Sequence, residues 1–162
     1  MKKIWDIHGG IHPPENKSQS LGKPIVKAPI APQLTLPLSQ HIGAPAKAIV
    51  QIGDQVLKGQ CIAEAVGPVS VPLHAPTSGT IIAIEQRTIP HPSGLEDNCI
   101  VIETNGKDEW RERNPIADFT QLDKNTLINI IHNAGISGMG GAGFPTSVKL
   151  NTRDDVNIDT LI

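Results

Sequence analysis

Between residues 34 and 105 the chain is cut repeatedly by Gly, Pro or paired polar residues, and every apolar run between the cuts is short. Runs of that length cannot make ordinary helices, so they predict short strands in a small sandwich or barrel. The expected strands are Ala48–Ile52, Val56-Leu57, Cys61–Ala63, Val69–Val71, Thr80–Ile84 and Ile100–Ile102. Gly53, Gly59 and Gly79 are expected to supply positive φ where the chain reverses. Leu95–Asn98 and Asn105–Glu109 read as turns. Aromatics are 2% of the chain, against 14 prolines and 15 glycines, and that balance suits many turns around a modest core.

Gly53-Asp-Gln-Val-Leu-Lys-Gly-Gln60 is followed some way on by His74-Ala-Pro-Thr-Ser-Gly-Thr-Ile81. The pair resembles the two quasi-symmetric halves of the biotinyl/lipoyl-type hammerhead, or barrel-sandwich hybrid. A carrier domain of that kind presents a lysine on the hairpin between its halves. Here Lys58 lies before that hairpin and the next lysine is Lys107, which disfavours a carrier and favours a scaffold.

Residues 1–33 are read as an extended arm laid over a neighbouring surface, because 7–33 is crowded with Pro, Gly and polar residues and has neither helical nor strand period. His8 and His12 have the spacing of a helical metal pair, but Gly9-Gly10 and Pro13-Pro14 predict loop histidines. Residues 106–162 begin with a linker in which Trp110 and Phe119 are packing candidates. A helix then starts at the N-cap Asp123, carries Leu127, Ile128, Ile130, Ile131 and Ala134 on one stripe, and stops at Gly135. His132 is expected as a helix-end residue. Asp155–Ile162 reads as the start of a strand.

Directly after the helix comes Gly138-Met-Gly-Gly-Ala-Gly-Phe-Pro-Thr-Ser-Val-Lys-Leu150. Its G-x-G-x-x-G spelling is not a Rossmann fingerprint, since that motif requires a strand before the loop. Clustered glycines let backbone N–H groups approach a ligand, Pro145 suits the first position of a following helix, and Lys149 could add a positive charge. A hinge between helices fits the same composition equally well.

The chain has a net charge of −2 and no basic block, so nucleic acid is not expected as a partner. No apolar run of signal-peptide type follows Met1–Asp6, and none of bilayer-spanning length occurs, so any membrane association is expected through a partner. Cys61 and Cys99 are expected as free buried thiols, and two cysteines cannot assemble a four-thiolate cluster. No catalytic or metal-binding residue is expected within the chain.

The glycine loop strongly resembles the flavin-mononucleotide (FMN) and NADH loop of the NADH-binding subunit of respiratory complex I. It departs at Met139, Ser147 and Leu150, where that family carries Arg, Gly and Trp. Gly9–Lys17, the hammerhead without a carrier lysine, and Gly135–Leu150 together resemble the RnfC family, which belongs to the Rnf ion-translocating electron-transport complex, along nearly the whole chain.

That resemblance implies an α+β architecture: a mainly-β barrel-sandwich hybrid at 34–105, followed in 106–162 by the truncated start of an α/β flavin/NADH-binding domain. It implies a peripheral subunit on the cytoplasmic face of the bacterial inner membrane. Such a subunit would exchange electrons between NADH and ferredoxin or a similar acceptor, and dock on other subunits of the complex that move Na+ or H+. Gly138, Gly140, Gly141 and Gly143 would admit the cofactor, Phe144 and Thr146 would shape the loop, and Lys149 would meet the phosphate. Two [4Fe-4S] clusters belong to the full-length family, with no ligands here. The remaining walls of the flavin site are expected beyond residue 162, leaving this chain an inactive amino-terminal portion. The alternative is a scaffold module that binds no cofactor.

Overall fold

A computed structural model describes residues 8–9, 13–152 and 160. Its strands are β1 (Gln33–Pro37), β2 (Lys47–Ala48), β3 (Gln55–Val56), β4 (Cys61–Glu64), β5 (Leu73–His74), β6 (Gly79–Thr88) and β7 (Glu96–Thr104). Helices α1 (Ser18–Leu21), α2 (Lys124–Asn133) and α3 (Thr146–Leu150) complete it, with one 3-10 turn at Phe119–Gln121. The strands form a four-stranded antiparallel sheet in the order β1-β7-β6-β3 and a three-stranded sheet in the order β2-β4-β5. Val56, Ile81, Ile100 and Ile102 from the first sheet and Ile62, Ala63 and Leu73 from the second share one buried cluster. The two sheets therefore enclose a single core, as a barrel-sandwich hybrid requires.

Two β-bulges explain how so few apolar residues fill it. Along β6, Ile81 faces Ile102 and Ile84 faces Ile100, with the register shifting between Ile81 and Ala83. The extra residue reverses the strand's in-out parity, so Ile81 and Ile84 both reach the core instead of alternating. The shift between Cys61 and Ala63 in β4 does the same for Ile62 and Ala63. Ile62, Ile81, Ile100 and Ile102 are fully buried, and each contributes on the order of 2 kcal/mol of apolar transfer.

Several sequence expectations change here. Val69–Val71 forms no strand, although Ser70 and Val71 are buried. The Val71 amide donates to Nε2 of His41 at 3.2 Å, and the Val69 carbonyl accepts from Ala44. Ladder partners are thus replaced by a distant loop. Glu96–Asn98, expected in a turn, opens β7, and its polar ladder continues outward through pairs such as Gln86 with Asn98. Gly53 and Gly59 have φ of 97° and 78°, but Gly79 does not have positive φ. It is needed for another reason: a Cβ there would stand 2.2 Å from the Glu103 carbonyl oxygen.

The hammerhead also clamps the segment that follows it. Buried Ser78 donates to Asn105 Oδ1 at 2.8 Å and accepts the Glu109 amide at 2.9 Å, while Thr77 donates to Asp108. Trp110 and Phe119 are exposed rather than packed into a core. Residues 13–32 are exposed and contain no strand, the single turn of α1 being their one helical stretch. The arm is tied down at its end, where Thr104 bonds the carbonyls of Ala31 and Pro32. His8 sits in a turn, whereas His12 and the strand start at 155–162, apart from Thr160, lie outside the described residues.

Asp123 caps α2 by accepting the amides of Asn125 and Thr126, an arrangement contributing about 1 kcal/mol. Gly135, at φ 70°, ends the helix and lies where a Cβ would come within 2.5 Å of the Pro72 carbonyl oxygen. Among the described residues, no strand follows β7 and no helix is long and apolar enough to cross a membrane.

Candidate functional site

The glycine loop begins where Gly135 presses α2 against the hammerhead. Ser137 and Pro145 form an isolated antiparallel bridge, Gly138 donates to the Phe144 carbonyl at 2.9 Å, and Gly143 donates to Gly140 at 3.0 Å. The loop is thereby pinched at its base. It is also fastened to the hammerhead, because Ile42 donates to the Ala142 carbonyl and Gly143 lies against Gln40 and His41.

The result is a cleft of about 390 Å³ with walls from both parts of the chain. Gly138, Gly140, Gly141 and Gly143 line one side, and Gln40, His41, Val71 and Leu73 line the other. The His41 ring is fixed: Nε2 accepts from the Val71 amide, so Nδ1 carries the proton and donates to the Ile42 carbonyl at 3.0 Å. This second wall had no signal in the sequence, since Gln40 and His41 belong to no periodic element and meet the loop across most of the chain.

The glycines are not equivalent. Gly143 has φ 58° and touches the hammerhead, and a Cβ on Gly138 would lie 3.2 Å from the Lys149 Nζ. At Gly140 and Gly141 an added Cβ would meet nothing within 4 Å, and neither has positive φ. Folding therefore gives no reason for glycine at those positions. The amides of Met139, Gly140, Gly141 and Ala142 donate to no group among the described residues. Ser137 lines the same cleft, and its buried Oγ has no hydrogen-bond partner among the described residues.

Lys149 lies on α3 with its Nζ 5.7 Å from the centroid of the Phe144 ring, and it has no carboxylate partner among the described residues. Thr146 is held by its amide, which donates to the Ile136 carbonyl at 3.0 Å. Pro145 is the cap of α3 and not its first helical residue. With five residues, α3 has little macrodipole to offer an anion, so the positive character of the loop rests on Lys149 and on the amides that have no acceptor among the described residues. His132, in the last turn of α2, reaches Ser147 Oγ at 3.3 Å.

Elsewhere, Lys58 is held in place. Its ammonium is 2.8 Å from Asp108 and 4.9 Å from the centre of the Trp110 ring. Lys58 and Thr77, by hydrogen bonding, hold the Asp108 carboxyl below its usual range. Burial pushes the thiols of both Cys61 and Cys99 up, and both are free. No group of three or more His, Cys, Asp or Glu is placed to hold a metal ion among the described residues.

A family model described as the RnfC barrel sandwich hybrid domain matches residues 5–107. The chain is 53% identical over 150 residues to the C subunit of the ion-translocating oxidoreductase complex from Vibrio cholerae serotype O1 (strain ATCC 39541), covering 93% of this chain and 19% of the relative. It is 52% identical over 160 residues to the protein of the same name from Serratia proteamaculans, and 49% identical to that from Salmonella newport. Each of those alignments covers 99% of this chain and 22% of the relative. The chain thus spans about a fifth of the length of these curated relatives.

Proposed function

Because this chain belongs to the RnfC family, we propose that it forms the amino-terminal scaffold of an electron-entry subunit and supplies one wall of its flavin and NADH site. The division proposed is an arm at 1–33, the hammerhead at 34–105, and from 106 onward the first part of the flavin-binding unit. The observation that supports this most is the pair Gly140 and Gly141, small for no reason internal to the fold. Residues without Cβ, beside backbone donors that have no acceptor among the described residues, fit a ligand that approaches the backbone closely and carries negative charge.

FMN fits this wall. Gly138, Gly140, Gly141 and Gly143 would admit its ribityl phosphate, the amides of residues 139–142 would donate to phosphate oxygens, and Lys149 would add its charge. Phe144 and Thr146 hold the loop in shape. When bound, the flavin supplies hydride exchange with NADH and onward transfer of single electrons. The residues of this chain bind and orient; the hammerhead keeps the loop in place through Ile42, Gln40 and His41. The protein would sit peripherally on the cytoplasmic face of the membrane, pass electrons between NADH and a ferredoxin-like partner through [4Fe-4S] clusters held outside this chain, and dock on subunits that move Na+ or H+.

A flavin fluorescence titration tests the reading. A protein of the relatives' full length that contains this chain is expected to quench FMN saturably, and the 162-residue chain alone to bind weakly or not at all. Absence of quenching by the full-length protein would refute the flavin assignment. Tight quenching by the 162 residues would refute the single-wall description.

A further inference from the structure

A separate cavity of about 550 Å³ lies where the hammerhead, the segment after β7 and the end of α2 meet. Gly59 and His74 line it from the hammerhead, Trp110, Arg111 and Arg113 from the following segment, and Asn133 from α2. No residue of the glycine loop takes part.

The backbone that carries these two exposed arginines is held by the fold. Lys58 donates its amide to Glu109 and accepts from the Arg111 amide at 3.0 Å, which lays this segment alongside the turn at Gly59. The Trp110 ring covers that turn so closely that a Cβ on Gly59 would come within 2.9 Å of it. The Arg113 guanidinium is 5.1 Å from the centre of the same ring.

Their charge is not cancelled locally. Lys58 is neutralised by Asp108 at 2.8 Å, and Glu64 is engaged with Lys47 at 3.7 Å. Arg111 and Arg113 have no carboxylate at ion-pair distance among the described residues, and Glu112 between them pairs with neither. Burial, and then Arg111, push His74 below the usual imidazole range, so it offers a hydrogen-bonding ring without a third charge.

We propose that this cavity binds a dianionic phosphate group, with Arg111 and Arg113 as its counter-charges. Guanidinium forks match phosphate oxygens two at a time, and a phosphate dianion balances both cations where a single carboxylate would leave one uncompensated. The phosphate could arrive free or carried on a nucleotide.

Trp110 can report the binding. In a Trp5→Phe background, which leaves one of the two tryptophans, emission is followed while inorganic phosphate, a nucleoside monophosphate or acetate is added. A saturable change with either phosphate, weakened at least about tenfold in Arg111→Gln/Arg113→Gln, is the expected result. Tighter binding of the nucleotide would identify a carried phosphate, and equal binding of the two a free one. Should the double variant lose its cooperative melting, Arg113→Gln alone, at an exposed side chain, is expected to weaken binding in the same direction. No saturable response to either phosphate, an unchanged affinity in the variants, or acetate binding as tightly as phosphate would overturn the proposal.

Discussion

Gly79→Val is expected to destabilise the hammerhead by about 3 kcal/mol or more and to lower its melting temperature by about 10 °C. The first side-chain carbon would stand 2.2 Å from the Glu103 carbonyl oxygen and 2.8 Å from Ile102 Cγ2. Neither neighbour can yield cheaply. Glu103 pairs with Gln33 on one side and Thr80 on the other, and Ile102 is fully buried in the core. Gly53→Ala makes the comparison informative, because Gly53 has φ 97° and open space around it. That change should cost only the strain of a left-handed residue, about 1–2 kcal/mol. Circular dichroism melts of both variants measure the difference. If Gly79→Val melted within about 2 °C of the parent, the close approach of β6 and β7 would not govern this position.

Gly140→Leu should behave in the opposite way. Nothing lies within 4 Å of the new Cβ, so the fold is expected to melt as before. In a protein of full family length its flavin affinity should fall at least about tenfold, or about 1.4 kcal/mol, because the side chain would occupy the space proposed above for the cofactor. Flavin content of the purified protein, read with its melting curve, separates the two effects. Normal flavin content would mean that Gly140 serves only as a joint.

The parts that were legible in the sequence are those governed by neighbours. Asp123 and Gly135 mark α2 because caps act within one turn, and punctuated apolar runs such as Cys61–Ala63, Thr80–Ile84 and Ile100–Ile102 mark core strands because turn chemistry is local, whereas of Ala48–Ile52 only Ala48 lies in a strand. What could not be read depends on distant contacts. Val69–Val71 has the composition of a strand, yet its hydrogen bonds go to His41 and Ala44. Gly79 has the surroundings of a turn glycine, but its constraint comes from Glu103 on the neighbouring strand. The cleft's second wall was hidden for the same reason, because Gln40 and Gly143 are 103 positions apart. Parity also concealed the role of Ile84, since an alternating pattern would have turned it outward.

The pairing of β1 with β7 has a consequence for synthesis. Gln33 meets Glu103, 70 residues later in the chain. A ribosome adding about 5–20 residues per second leaves β1 without its partner for roughly 4 to 14 s after it is made. During that interval β1 is an open edge, able in principle to pair with another nascent chain. Its brevity, five residues ending in Pro37, limits how long a ladder a stranger could build on it. Release of β7 then pairs one side of β1, which stays an edge strand of the finished sheet, and fastens the arm in the same step, through Thr104 and the carbonyls of Ala31 and Pro32.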